Sequence, residues 1–194
     1  MASEVVAVRH GQTEWSESGQ HTSATDLPLL DEGRRLAAEM APMLARQSFA
    51  LVLSSPLRRA LETCELTGFG ERAELDERLL EWAYGEYEGL TTPQIREDRP
   101  DWSLWRDGCP GGEGPEQVQA RADAVLERIA AVEGDVLVFG HGHFLRVLTA
   151  RWLGLPVAAG ARFRFEAGAL GRLGYERETE VLLGWNLQPQ AGPE

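Results

Sequence analysis

The sequence predicts an α/β protein in which buried parallel strands alternate with helices. Three short runs rich in β-branched residues have the continuous apolar pattern of strands that are covered on both faces; they are Glu4–Val8, Phe49–Ser54 and Asp135–Phe139. The segments between these runs carry apolar residues at helical spacing. Because strands that alternate with helices pack in layers, we expect a layered α/β sheet.

The helices are identified by their apolar faces and their end signals. Residues 31–47 and 115–132 repeat apolar side chains every three or four positions, and Pro115 suits the first turn of the second segment. Another helix is predicted from His143 through Trp152. The sequence GLP follows it, in which glycine can close the last turn and proline cannot continue the helix.

The C-terminal part and the middle of the chain predict smaller elements. Apolar residues alternate at Phe163 and Phe165, and again at Val181 and Leu183, which predicts edge strands. Residues 86–114 contain prolines, glycines and two tryptophans three positions apart. This composition predicts an inserted loop with a short helix, and the two tryptophans are interpreted as a cover over a small ligand.

Length and composition limit the domain count, the partners and the compartment. A chain of 194 residues predicts one domain, 1–194, with a loose tail at 187–194. The net charge of −12 disfavours nucleic acid and acidic membranes as partners, because a polyanion would be repelled. Residues 1–8 do not resemble a signal peptide, so a cytoplasmic location is expected. Cys64 and Cys109 are interpreted as buried packing thiols. Whether the chain forms a homodimer is left open.

Cationic and polar side chains follow all three predicted core strands. These residues are Arg9, His10, Gly11, Ser54, Ser55, Arg58, Arg59, His141, Gly142 and His143. Ligands of open α/β sheets bind beyond the carboxyl ends of the parallel strands, so these residues are expected to share one crevice. Guanidinium groups match phosphate oxygens, and the helix N-terminus after Gly142 adds N–H donors. The sequence therefore favours a phosphate ligand.

Other interpretations apply to these residues individually. Arg9 could form a surface ion pair, and Arg58 and Arg59 are ordinary residues for a solvated helix. The spacing of His141 and His143 could bind a metal through alternate side chains. No Asp or Glu flanks this pair, and a metal site would not need the arginines. The combination of three strand ends favours phosphate over a metal.

Four motifs in order make the chain resemble the histidine phosphatase superfamily, which has the phosphoglycerate-mutase-like fold. The motifs are Arg9-His10-Gly11 continuing to GQHTSATDLPLLDEG, SSPLRRALET, LLEWAYGEYEGLT, and His141-Gly142 after a core strand with Arg146 one turn on. The resemblance covers nearly the whole chain. It implies a three-layer α/β/α sandwich with a mostly parallel central sheet.

The resemblance also implies a mechanism and assigns its residues. His10 corresponds to the nucleophile that becomes phosphohistidine, and Glu81 to the proton donor for the leaving group. Arg9, Arg59 and His141 then supply positive charge to the transferring phosphoryl group. No metal and no cofactor are expected, and activity is expected to be favoured on the acid side.

Outer contacts to substrate are predicted at Gly142 and at positions where this chain departs from the pattern of the family. Ser16 stands where related mutases have Asn, and Thr22-Ser23 where many members have Thr-Gly or Ser-Gly. His143 either contacts substrate or simply lies in the first turn of its helix.

The predicted substrate is a small-molecule phosphate ester. The segment EGLTTPQIRE and the later WRDGCPGGE are similar to both broad-specificity acid phosphatases and sedoheptulose bisphosphatases of this superfamily. A chain this short lacks the insertions of phosphoglycerate mutases, which favours a phosphatase over a mutase. The sequence is also compatible with a non-catalytic module that binds phosphate esters and with a phosphoprotein phosphatase.

Overall fold

A six-stranded mixed sheet forms the centre of the computed structural model, which describes residues 4–189. Its strands are β1 Glu4–Arg9, β2 Phe49–Ser54, β3 Ala73–Leu75, β4 Asp135–Gly140, β5 Leu170–Glu176 and β6 Thr179–Leu187. They lie in the order β3-β2-β4-β1-β5-β6. The first four are parallel, and β5 and β6 are added antiparallel at one edge. The three predicted core strands are therefore confirmed as parallel neighbours.

Seven α-helices lie within the described residues. They are α1 Glu14–Ser18, α2 Asp31–Leu44, α3 Arg58–Leu66, α4 Thr92–Asp98, α5 Leu104–Asp107, α6 Pro115–Ala130 and α7 Gly142–Trp152. Helices α2 and α3 cover one face of the sheet, whereas α6 and α7 cover the other. No helix in this part of the chain is both long and apolar enough to cross a membrane.

Side chains of β1 alternate between two hydrophobic cores. Val5 and Ala7 pack with α6 and α7, whereas Val6 and Val8 pack with α2 and α3. This alternation follows from the period of two in a strand, and it explains why the run is apolar without interruption. The predicted three-layer α/β/α sandwich is thus confirmed.

The helix predictions are confirmed with small shifts at the ends. Helix α2 stops at Leu44 and α6 at Ala130, earlier than the predicted residues 47 and 132, while Pro115 is the first residue of α6. Helix α7 begins one residue earlier than predicted and ends before Gly154, whose φ is +68°. The N–H of Leu155 reaches back to the carbonyl of Ala150, so glycine closes the helix as expected.

The predicted strand around Phe163 and Phe165 is wrong. The chain there is irregular, and the strand that pairs with β1 is β5. Its sequence LGRLGYE contains two glycines, so it lacks the side chains that produce a visible alternation. At Gly171, an added Cβ would lie 2.5 Å from the Trp185 ring of β6. The β6 prediction at Val181 and Leu183 is confirmed.

The inserted region and the C-terminal residues differ in detail from the predictions. Residues 86–114 contain two short helices, α4 and α5, rather than one. Leu187, the first residue of the predicted tail, still belongs to β6, and residues 190–194 of that tail lie outside the described part of the chain. Cys64 and Cys109 are both buried free thiols, as predicted.

Candidate active site

The carboxyl ends of β1, β2 and β4 meet at one edge of the sheet. The N–H of His10 donates to the carbonyl of Gly140 at 3.0 Å, and the N–H of Ser55 donates to the carbonyl of Phe139 at 3.0 Å. The residues that directly follow these three strands therefore lie close together, although they are far apart in the sequence. This is the crevice predicted from the strand ends.

The imidazole of His10 is buried and held by its own neighbour. Its Nδ1 lies 2.7 Å from the carbonyl oxygen of Gly11, and because a carbonyl can only accept, Nδ1 carries the proton. Burial, with the positive charges of Arg59 and Arg9, lowers the pKa of His10 well below its ordinary value. The ring is thus neutral at neutral pH and has an unprotonated Nε2.

Two glycines bring the loop after β1 against the start of α2. A Cβ on Gly11 would lie 2.5 Å from the carbonyl oxygen of Gly33, and a Cβ on Gly33 would lie 2.5 Å from the carbonyl oxygen of Gln12. Neither position has room for a side chain. The contact explains why the triplet Arg9-His10-Gly11 and the segment GQHTSATDLPLLDEG both end in glycine. It also fixes the Gly11 carbonyl that orients His10.

Arg59 is fully buried and binds a loop through backbone carbonyls. Its Nη1 donates to Thr25 at 3.1 Å, and its Nη2 donates to Thr22 and Ser23 at 3.2 Å each. Its Nε is buried without a hydrogen-bond partner among the described residues. Glu88 stabilises the same loop by accepting from the N–H groups of Ser23 and Thr25.

Arg9 lies across the first turn of α7. Its Nη1 donates to the carbonyl of Phe165, and its Nε has no partner among residues 4–189. A Cβ on Gly142 would lie 3.1 Å from the guanidinium carbon of Arg9. Glycine after His141 therefore allows the arginine to lie directly against the helix N-terminus.

His141 is fully buried, with its ring centroid 5.2 Å from that of His10. Its Nε2 lies 2.7 Å from the Ser55 hydroxyl, which also accepts from the N–H of Leu57 at 3.4 Å. A hydroxyl has one proton and two acceptor lone pairs, so Ser55 can donate to Nε2 or accept from it. The other ring nitrogen, Nδ1, is buried without a hydrogen-bond partner in the described chain.

Three unpaired, buried side-chain nitrogens thus lie around the nucleophile candidate. Within residues 4–189, four buried side-chain nitrogens lack a hydrogen-bond partner, and three of them belong to Arg9, Arg59 and His141. Buried donors without partners are uncommon because each loses its hydration. Their concentration here identifies a site suited to an anion.

Glu81 binds the N-terminus of α7. Its Oε1 accepts from the N–H groups of Phe144 at 2.8 Å and Trp82 at 2.9 Å, and its Oε2 accepts from the N–H of His143 at 3.0 Å. The first N–H groups of a helix have no partner within the helix, so the carboxylate also serves as the cap of α7.

A cavity of about 250 Å³ opens beside His10. It is lined by Arg9, His10, Thr13, Trp15, Ser16, Gly19, Gln20, His21, Thr22, Glu81, Tyr84, Thr92, Gly142, His143 and Arg146. Arg59 and His141, which are both completely buried, are not among the lining residues. The predicted nucleophile and proton donor therefore border the same space.

Of the outer substrate contacts predicted at Ser16, Thr22 and Ser23, the first two line the cavity and the third does not. Ser16 and Thr22 line the cavity, although the hydroxyl of Ser16 also caps α1 by accepting from the N–H of Thr13 at 2.8 Å. Ser23 lies outside the cavity wall, and its hydroxyl donates to Glu88 at 2.5 Å. Ser23 thus holds the loop that Arg59 binds.

His143 lies in the first turn of its helix and also borders the cavity, whereas its predicted contact with substrate stays a prediction. Its N–H belongs to the first turn of α7, and its ring borders the cavity with Nδ1 2.6 Å from the Tyr84 hydroxyl. Burial, with the charge of Arg146, lowers its pKa well below the ordinary value. His141 and His143 bind different partners, and no three His, Cys, Asp or Glu side chains within residues 4–189 are grouped to hold a metal.

Two residues of the cavity wall, His21 and Tyr84, were not predicted, although both occur in the quoted motifs. Ser55 was placed in the crevice, but its hydrogen bond with His141 was not predicted. The inserted region lines the cavity through Thr92, whereas Trp102 is buried and packs behind His21 with ring centroids 5.8 Å apart. Trp105 contacts His143 in the same way, with ring centroids 5.3 Å apart, so both tryptophans pack against lining histidines and neither lines the cavity itself.

Comparisons with known proteins agree with this architecture. The model of the histidine phosphatase superfamily (branch 1) matches residues 5–188. An acid phosphatase of Mycobacterium tuberculosis is 42% identical, with 96% of this chain and 94% of the relative covered. A sedoheptulose 1,7-bisphosphatase of Saccharomyces cerevisiae is 38% identical, with 78% of this chain and 68% of the relative covered.

The solved structures support the same fold. The structure of open reading frame Rv3214 from Mycobacterium tuberculosis has a TM-score of 0.90 at 40% identity, and the match covers 97% of this chain and 99% of that one. The predicted phosphoglycerate-mutase-like fold is confirmed by these neighbours.

Proposed function

Since this chain belongs to the histidine phosphatase superfamily, we propose that it hydrolyses small-molecule phosphate monoesters through a phosphohistidine on His10. The state of His10 carries the proposal. Its Nδ1 donates to Gly11, its pKa is lowered, and its ring borders the cavity, so Nε2 can attack a bound phosphoryl group. A group that only bound phosphate would be more useful as a charged imidazolium.

In the first step the lone pair of His10 Nε2 attacks phosphorus, and the bond between phosphorus and the ester oxygen breaks. The carboxyl of Glu81 gives its proton to that oxygen, and the alcohol leaves. The Gly11 carbonyl still accepts from Nδ1 as the ring gains positive charge. In the second step water attacks phosphorus, and the bond between phosphorus and Nε2 of His10 breaks. The proton of the water passes to Glu81, and inorganic phosphate and free His10 are formed.

The unpaired donors of Arg9, Arg59 and His141 stabilise the equatorial oxygens in this scheme. Phosphoryl transfer depends mainly on positioning and charge stabilisation, and preorganised donors in a buried site are especially effective. These groups stabilise the negative charge of the phosphoryl group, which a metal ion would otherwise do, so the reaction is proposed to be metal-independent. The polar cavity beside His10 accepts the alcohol part, which fits a hydroxylated group such as a sugar.

The test uses rapid quenching with ³²P-labelled substrate, followed by measurement of phosphate release. We expect acid-labile, base-stable label on the wild-type protein, none on His10→Ala, and stoichiometric release of inorganic phosphate. Label that persists in His10→Ala would refute the nucleophile. Transfer of label to a second position of the substrate without release would indicate a mutase, and binding without turnover would indicate a non-catalytic module.

A further inference from the structure

Glu113, in the GGEG segment at residues 111–114, has no role in the chemistry above but forms a two-bond ion pair with Arg121 of α6. Arg121 Nε lies 2.7 Å from Glu113 Oε1, and Nη2 lies 2.7 Å from Oε2. The two side chains are only 21% and 16% exposed. This is the parallel, two-bond geometry that a guanidinium and a carboxylate form best.

The remaining donors of Arg121 bind the backbone that leads to Glu81. Nη1 donates to the carbonyls of Arg78 at 2.7 Å and Leu80 at 2.9 Å, and Nη2 donates to the carbonyl of Glu81 at 3.4 Å. A guanidinium has five N–H groups, and here all five face an acceptor. A lysine, whose ammonium is a single nitrogen, could not donate to five acceptors in this arrangement.

Glu113 fixes the backbone on the other side of Glu81. Its Oε2 accepts from the N–H of Ala83 at 2.8 Å, and its own N–H donates to the carbonyl of Ala83 at 2.8 Å. Its carbonyl accepts from Nε1 of Trp82 at 2.9 Å. The ion pair therefore holds the backbone on both sides of Glu81, because Arg121 binds the residues before it and Glu113 binds the residues after it.

The same guanidinium also touches the helix that binds the carboxylate of Glu81. It lies over the ring of Phe144, 4.7 Å from the centroid, and the N–H of Phe144 donates to Glu81 Oε1. Arg121 thus contacts both the backbone of Glu81 and the turn of α7 that orients its side chain.

We propose that the Arg121–Glu113 pair is a positioning device for the proton donor Glu81. The proposal rests on the function proposed above, in which Glu81 protonates the leaving group. Misplacement of a reacting group by about 1 Å can cost roughly 10²-fold in rate. Loss of the pair should therefore slow esters whose leaving oxygen needs a proton, and it should affect esters with good leaving groups much less.

The experiment compares an alkyl phosphate such as glycerol phosphate with 4-nitrophenyl phosphate. Arg121→Lys keeps the charge but cannot reach five acceptors, so we expect kcat/KM to fall about 10- to 100-fold for the alkyl ester and about threefold or less for the aryl ester. Arg151→Lys is the matched control, since Arg151 pairs with Asp123 at 2.7 Å and donates to the carbonyl of Leu155, and within residues 4–189 it forms no hydrogen bond with the Glu81 segment.

Glu113→Gln provides a second, milder test if Arg121→Lys does not fold. Its amide oxygen can still accept from Ala83, but the charge partner of Arg121 is lost, and the same selective loss is expected. Equal losses for both esters, or no loss for either, would show that the pair only anchors the insert and would overturn the inference. Absence of phosphate release by the wild type is a separate result, because it refutes the proposed function itself.

Discussion

Replacement of Arg59 by lysine tests whether the buried guanidinium acts through its shape or only through its charge. Arg59 uses Nη1 and Nη2 on three loop carbonyls and leaves Nε unpaired beside the proposed phosphate position. A lysine ammonium is a single nitrogen. It cannot hold the loop and still donate to phosphate from a second position.

The expected loss can be estimated from these contacts. Removal of one preorganised donor to a developing negative charge costs about 2.7–4 kcal/mol, which corresponds to roughly 10²–10³-fold in kcat/KM. The loop carbonyls lose charge-assisted hydrogen bonds, each worth about 1.5–3 kcal/mol, although a lysine replaces part of this. The fold should survive, because Glu88 holds the same loop independently.

The assay is kcat/KM with 4-nitrophenyl phosphate, alongside thermal unfolding by circular dichroism. Arg58→Lys is the neighbouring control, because the Arg58 side chain is 59% exposed and its nearest carboxylate, Glu62, is 3.9 Å away. Such a contact contributes little, so a change of about threefold or less is expected. Wild-type activity in Arg59→Lys, together with a large loss in Arg58→Lys, would show that the wrong arginine was assigned.

Three further predictions concern the metal-free assignment, a buried histidine and a close glycine contact. Activity should survive exhaustive chelation, and loss with rescue by one divalent ion would contradict the assignment of His141. Burial lowers the pKa of His21 to about 4 from 6.5, so its stabilisation is complete above pH 6.5 and decreases as the pH falls toward 4. Urea denaturation at pH 7 and pH 4.5 measures how far the free energy of unfolding falls between these pH values. This fall should be about 2 kcal/mol smaller in His21→Asn than in the wild type. Equal falls would refute burial of His21 as a cause of the acid sensitivity. Gly11→Ala should lose about 1–3 kcal/mol of stability in the same assay, because its Cβ would lie 2.5 Å from Gly33 O, whereas Gly114→Ala, with no contact closer than 3.5 Å, should not; equal stabilities would contradict the contact.

The sequence by itself determined the layered architecture and the place of the site. Strands buried on both faces and helices with one apolar face leave a local periodic signal, so three parallel strands and the longer helices were predictable. Parallel strands place their carboxyl ends at one edge, so the strand pattern alone predicts that His10 and His141 lie together. The catalytic roles of these residues stay predictions.

Only the tertiary structure decided which groups are paired and which are left free. Strand β5 was missed because its glycines carry no side chains to alternate. The hydrogen bond between His141 and Ser55 joins residues 86 positions apart along the chain. The enclosure of Glu81 by Arg121 likewise joins residues 40 positions apart. A hydrogen bond depends on distance and direction in space, and periodicity along the chain records only local burial, so these contacts leave no sequence signal.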